Sequence, residues 1–243
     1  MIRYRIDLAY KGTHFHGWQI QPNAKTVQGE INNALKIILR KKIETVGSGR
    51  TDAGVHASAQ VLHFDYEQHI DFDLAHRLNA LIPKDIVIYN VQQVDQQFHA
   101  RFSPISRAYR YQIRSKHSPF LIDQYYHLRT LPDIDRMNEA CAIFKNHINY
   151  KCFSKTHTDV NTFNCTIFKA EWIKHENGVE FYIQANRFLR GMVRAIVGTL
   201  LEIGHHYKEI TYLEEVILSE NRNIAGQAVP AQGLFLCEVN YPK

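Results

Sequence analysis

At 243 residues, the chain is long enough for one large core or for two closely joined halves. Its 29 Lys and Arg against 24 Asp and Glu give a net charge of +5 and an isoelectric point near 8.9, which permits a polyanionic partner but is shared by many ordinary proteins. No apolar run approaches a membrane span, and Met1-Ile2-Arg3-Tyr4 lacks a signal-peptide core, so a cytoplasmic protein with no membrane partner is expected.

The elements follow from periodicity. Residues 2–9 alternate as a strand, and Val27 to Leu39 carries apolar positions at Val27, Ile31, Ala34, Leu35 and Ile38, which is helical spacing. Next comes a period-two segment, with Ala59, Val61, His63 and Asp65 on one face and Gln60, Leu62, Phe64 and Tyr66 on the other. A helix near 72–82, a strand near 85–94 and a Tyr-rich strand near 107–114 complete a first half, 1–118. The second half, 119–243, is predicted to hold a helix at 133–145 opened by Pro132, strands at 165–175 and 178–186, and helices at 189–204 and 211–219. A strand at 233–240 ends it. No low-complexity linker separates the halves, which implies one continuous sheet.

Between the first helix and the second long strand lies Gly47-Ser48-Gly49-Arg50-Thr51-Asp52-Ala53-Gly54-Val55-His56-Ala57. Its glycines allow close backbone approaches. Arg50 and Asp52 are two apart and share a side if the segment is extended. Taken alone, the run reads equally as a charged surface turn or as a site.

Further on, Arg101, Arg107, Arg110, Arg114 and Lys116 interleave with Phe102, Tyr109 and Tyr111. That pattern suits phosphate contacts plus base stacking, and equally an exposed strand face with half-buried tyrosines. Cys141, Cys152, Cys165 and Cys237 form no Cys-x-x-Cys pair and read as reduced thiols. Asp52, His56, His63 and Asp65 are the best local set of metal ligands, yet the 56-to-63 spacing matches neither one helical face nor a familiar zinc motif. No metal is expected.

Several motifs in order carry a resemblance. Gly49-Arg50-Thr51-Asp52-Ala53-Gly54-Val55-His56-Ala57, with Gln60-Val61 and Phe64, resembles the catalytic motif of the tRNA pseudouridine synthase A family. Upstream, Tyr10-Lys11-Gly12, Phe15, Gly17-Trp18-Gln19-Ile20-Gln21 and Thr26-Val27-Gln28 resemble its opening motif. Downstream come Leu78 to Ile86, Phe98-His99-Ala100-Arg101-Phe102-Ser103 and Tyr109-Arg110-Tyr111. Asn186 to Arg194, Ile196-Val197-Gly198 and Gly233-Leu234-Phe235-Leu236 complete the series. Two departures stand out: Lys11 where the family usually has Asp, and Asn164-Cys165-Thr166 where an arginine is more usual.

The resemblance implies an α+β fold of two ferredoxin-like, RRM-like halves whose antiparallel sheets join into one mixed, mostly antiparallel sheet. Helices on one side, a basic RNA-binding cleft and a homodimer go with it. It also implies isomerisation of uridine to pseudouridine at positions 38, 39 and 40 of the tRNA anticodon stem-loop, without a cofactor. Asp52 takes the role of nucleophile, or of the base that starts glycal formation. The resemblance pairs Arg194 with Asp52 and leaves Arg50 to the flipped nucleotide's phosphate or to holding the stem open. Tyr109 contacts the target base, a part Tyr111 could equally share with a core role, and Leu234 and Phe235 belong to an apolar wall around that base. Two other readings remain open: a catalytically silent RNA-binding protein of the same fold, and a metal-dependent hydrolase built on Asp52, His56 and His63.

Overall fold

The computed structural model describes residues 1–156 and 160–242. In β1 (Ile2–Tyr10), Tyr4, Ile6, Leu8 and Tyr10 are buried and the residues between them are not. Period two demands this of a strand with one face on a core. The next element is α1 (Val27–Leu39), whose N-cap Thr26 accepts a hydrogen bond from the Gly29 amide and which turns Val27, Ile31, Ala34, Leu35 and Leu39 inward. Arg40, in the left-handed conformation, ends it.

A short β2 (Val46–Gly47) precedes β3 (His56–Tyr66), then α2 (Leu74–Leu81), capped by Asp73, and β4 (Ile86–Val94). The second stretch holds β5 (Ser106–Arg114), a short β6 (Tyr126–His127), α3 (Ile134–Cys141), the hairpin β7 (Ile167–His175) and β8 (Gly178–Ala185), then α4 (Met192–Gly204) and α5 (Tyr212–Ser219). The last strand is β9 (Leu234–Asn240). The fold is α+β, its strands paired mostly antiparallel, with β3/β9 and β5/β6 as parallel pairs.

Two compact units result, one of residues 1–105 with the chain from Phe235 onward, the other Ser106–Leu234. The first has the strand order β4-β1-β3-β9, with β2 on β3. The second has β5-β8-β7, with β6 on β5. β9 joins the first unit because it lies parallel to β3, His56 opposite Phe235 and Ala57 opposite Leu236.

Boundaries move where local chemistry overrides periodicity. Pro132 precedes the helix rather than opening it; the carboxylate of Asp133 accepts from the Asp135 and Arg136 amides, so α3 begins at Ile134. Beyond Cys141 the helix tightens into a 3-10 turn at Ala142–Asn146. α4 begins at Met192 rather than 189 because Gly191, at φ 72°, places a left-handed residue before it. β2 and β6, two residues each, are too short to show a period.

Each unit secures an outer strand with one helix asparagine. Asn79 of α2 donates to the Ile88 carbonyl of β4 and accepts from the Ile88 amide, both at 2.8 Å. Asn138 of α3 treats Trp172 of β7 the same way, at 3.0 and 2.7 Å. A carboxamide sets an N–H donor beside a C=O acceptor, so it can pair with both the carbonyl and the amide of one residue on an outer strand.

All four cysteines are free thiols. Burial pushes Cys152 up to about 12 and Cys165 to about 11, which keeps both as neutral, unreactive thiols. His63, in β3, is buried, and its Nδ1 accepts from the Ala100 amide at 3.1 Å. Burial, with Arg3 and His99 nearby, lowers its pKa from 6.5 to about 4.

Replacing Asn79 or Asn138 by Ala removes two bonds to an outer strand and is expected to cost about 1–3 kcal/mol in urea unfolding. The pH dependence has a definite sign as well. The folded state keeps His63 neutral while the unfolded chain protonates it near 6.5, so stability falls as pH drops from about 6.5 towards 4 and then levels. The slope from this one proton is at most about 1.4 kcal/mol per pH unit, and a His63→Gln variant should show a shallower decline by differential scanning fluorimetry.

Candidate active site

In the first unit the run from Gly47 to Ala57 is neither a plain turn nor the mouth of a continuous strand. The Val55 amide donates to the Asp52 carbonyl at 3.1 Å, making a turn over 52–55 that Gly54 completes at φ 77°. β3 starts only at His56. Arg50 is exposed, Thr51 buried and Asp52 partly buried, so the expected shared side of an extended segment gives way to three different environments.

The segment after β1 grips this turn on several sides. Thr51 Oγ1 and Tyr10 Oη are 2.8 Å apart in the interior. The Trp18 amide donates to the Thr51 carbonyl at 3.2 Å, and the Gly54 amide donates to the Phe15 carbonyl at 3.3 Å. His56 Nδ1 accepts from the Gly12 amide at 3.0 Å, with its ring stacked on Phe235 at 4.6 Å.

Two glycines make that grip possible. A Cβ on Gly12 would lie 2.6 Å from the carbonyl carbon of Val55, and one on Gly17 would lie 2.5 Å from the Thr51 oxygen; Gly17 also has φ 87°. No L side chain fits either place without moving the turn. On the other flank Gln60 accepts from the Ser48 hydroxyl and donates to the Gly49 carbonyl at 3.1 Å. Asp52 therefore stands on a backbone tied at residues 48, 49, 51, 54 and 56, which restricts where its carboxylate points.

Three of the four candidate metal ligands, Asp65, His63 and His56, are engaged otherwise. Asp65 makes a two-pronged pair with Arg3 at 2.8 Å, His63 accepts from Ala100, and His56 accepts from Gly12. Among the described residues no group of three or more His, Cys, Asp or Glu is arranged to hold a metal ion.

In the second unit, β5 carries Tyr109 and Tyr111 on one face, and both are buried. Tyr109 meets Phe188 edge-on at 5.0 Å. Tyr111 is fully enclosed, and its hydroxyl donates to the Pro230 carbonyl at 2.9 Å; burial drives its pKa well above the usual tyrosine range. The interleaved arginines and tyrosines of β5 are thus not one open stacking face: the rings point inward, while Arg107, Arg110 and Arg114 are half-buried.

Arg194 sits in the first turn of α4. From Met192 to Leu201 it is the one residue that is not buried, so its side chain leaves an otherwise apolar helix. A surface charge on an ordinary amphipathic helix would have polar neighbours a turn further on; Arg194 has Val197 and Gly198. Its Nε donates to the Val229 carbonyl at 2.6 Å. Leu234, at the start of β9, is buried, as is Phe235.

At the two departures from the expected pattern, the Lys11 amide donates to the Asp85 carbonyl and the Thr166 amide to Asn186 Oδ1, both at 2.8 Å. The contributions of Tyr10, Phe15, Gln60 and Val229 come only from the structure. Tyr10, Phe15 and Gln60 lie in recognisable motifs without any sign of what they hold, and Val229 lies in none.

A sequence profile described as tRNA pseudouridine synthase matches residues 8–103 and 144–242. A tRNA pseudouridine synthase A of Parabacteroides distasonis is 47% identical over 245 residues, covering 100% of this chain and 97% of the relative. Its counterpart in Bacteroides fragilis is 47% identical over 99% of this chain and 97% of its own length, and that of a Geobacillus strain 41% identical over 98% of each. With a profile match over most of the sequence and 41–47% identity to relatives along nearly its whole length, this chain belongs to the tRNA pseudouridine synthase family.

Proposed function

We propose that the protein isomerises uridine to pseudouridine at positions 38, 39 and 40 of the tRNA anticodon stem-loop, with Asp52 as nucleophile. The observation that carries this reading is the clamped turn. A carboxylate on a backbone held at five neighbouring positions is pre-organised, and pre-organisation is what a reacting group needs.

The reaction balances within the substrate. The N1–C1′ bond breaks, the base turns, C5 bonds to C1′, and the proton lost from C5 is matched by one gained at N1. No electrons are exchanged and no group departs, so acid–base and nucleophilic side chains supply the chemistry.

The remaining roles follow the family resemblance. Arg194 is the cationic partner of Asp52. Tyr109 stacks on the base extruded from the stem, and its hydroxyl assists removal of the C5 proton. Arg50, exposed two residues before Asp52, engages the phosphate of the flipped nucleotide. Leu234 and Phe235 wall the target base. The enzyme works as a homodimer whose subunits both touch the tRNA, read by shape and backbone more than by sequence.

Pseudouridine mapping in cells lacking the protein tests the assignment: modification at 38–40 should vanish, return with the wild type, and stay absent with Asp52→Asn. That variant should lose ~10³-fold or more in kcat while still binding tRNA, and unchanged turnover would reject Asp52. Tyr109→Phe keeps a ring and loses the hydroxyl, so single-turnover rates should fall by ~10²-fold with little change in affinity. Binding of wild type to tRNA should weaken along a straight line in log Kd against log salt.

A further inference from the structure

Residues 225–230 have no regular secondary structure, yet they are tied down along their length. At one end the Gly226 amide donates to Thr199 Oγ1 at 2.9 Å, and that hydroxyl donates in turn to the Ala195 carbonyl of α4, also at 2.9 Å. The backbones lie in direct contact. A Cβ on Gly226 would fall 2.7 Å from the Thr199 nitrogen, and one on Gly198 would collide with the Gln227 carbonyl. Arg222 donates to the carbonyls of Ala225 and Gly226, each at 3.2 Å.

At the other end, the buried Tyr111 hydroxyl holds the Pro230 carbonyl at 2.9 Å. Pro230 in turn restricts Val229 to extended backbone. Between these anchors, Val229 and Arg194 bond reciprocally: the Val229 amide donates to the Arg194 carbonyl at 3.2 Å, and Arg194 Nε donates to the Val229 carbonyl at 2.6 Å. Arginine is a long side chain with several rotatable bonds, and gripping Nε at a fixed carbonyl removes most of that freedom while setting the plane of the guanidinium.

We propose that the 225–230 strap, anchored by Tyr111 at Pro230 and by Thr199 at Gly226, is the device that aims the Arg194 guanidinium. Tyr111 and Thr199 are then positioning residues for the isomerisation, acting through Val229 and Arg194 without touching the substrate. This rests on the pairing of Arg194 with Asp52, and it gives the second tyrosine of Tyr109-Arg110-Tyr111 a task different from the first.

The test is turnover, with kcat and KM separated, on an unmodified tRNA transcript with uridines at 38–40, for wild type, Tyr111→Phe, Thr199→Val, Thr199→Ser, Arg194→Lys and Asp52→Asn. Misaiming a charged group by an ångström costs up to ~10²-fold, so Tyr111→Phe and Thr199→Val should each lower kcat by about 10- to 100-fold, with KM within about twofold. Thr199→Ser keeps the hydroxyl and should restore kcat. If Tyr111→Phe and Thr199→Val lower the melting temperature but leave kcat at wild type, the strap is structural only and the proposal is overturned. Wild-type kcat in Arg194→Lys would instead reject the pairing, and activity in Asp52→Asn would reject the functional reading itself.

Discussion

Gly12 lies so close to Val55 that no side chain fits between them, and the placing of Asp52 depends on that approach. A loop that carries a reactive carboxylate normally has two weaknesses: its backbone amides are exposed, and its charge can swing into water. Here the opening segment, from Tyr10 to Trp18, lies against the turn and takes up its hydrogen-bonding groups one by one, at Thr51, Gly54 and His56. Backbone-on-backbone contact of this kind is available only to glycine, and it yields stiffness without help from a regular element.

The second unit meets the same need by other means. α4 is buried at nearly every position, a helix that a core can hold but that leaves a charged group nowhere to go except outward. Arg194 uses that exit, and an irregular strap supplies the hydrogen bond that an apolar helix surface lacks. In each unit, then, a charged side chain is placed by non-repetitive chain laid against a regular element. Regular elements are stiff but offer few ways to aim a side chain; irregular chain aims well but must be tied to something.

Much of this is legible in the sequence. β1, α1, β4, β5, β7, β8, α5 and β9 lie within a residue or two of where hydrophobic period places them, since each buries one face or stripe and period records that directly. The starts of α3 and α4 shift because a cap and a left-handed glycine decide them, and such local hydrogen bonding is invisible to hydrophobic spacing. Asp52 and Arg194 can be singled out from the order of motifs. Gln60 and Tyr111 lie in recognisable motifs, but what they hold is hidden until their partners, a dozen or more than a hundred residues distant, are known.

The sequence by itself determined the alternation of elements and the family, because these rest on residue type and short-range spacing. Only the tertiary structure decided that Tyr111 is enclosed while Tyr109 meets Phe188, that the last strand returns to lie beside His56 and Ala57, and that the chain around Pro230 holds Arg194. The physical reason is distance along the chain. A hydrogen bond from Tyr111 to Pro230 or from Arg194 to Val229 costs the closure of a long loop, and that entropy is offset only when the whole core of the unit forms at once.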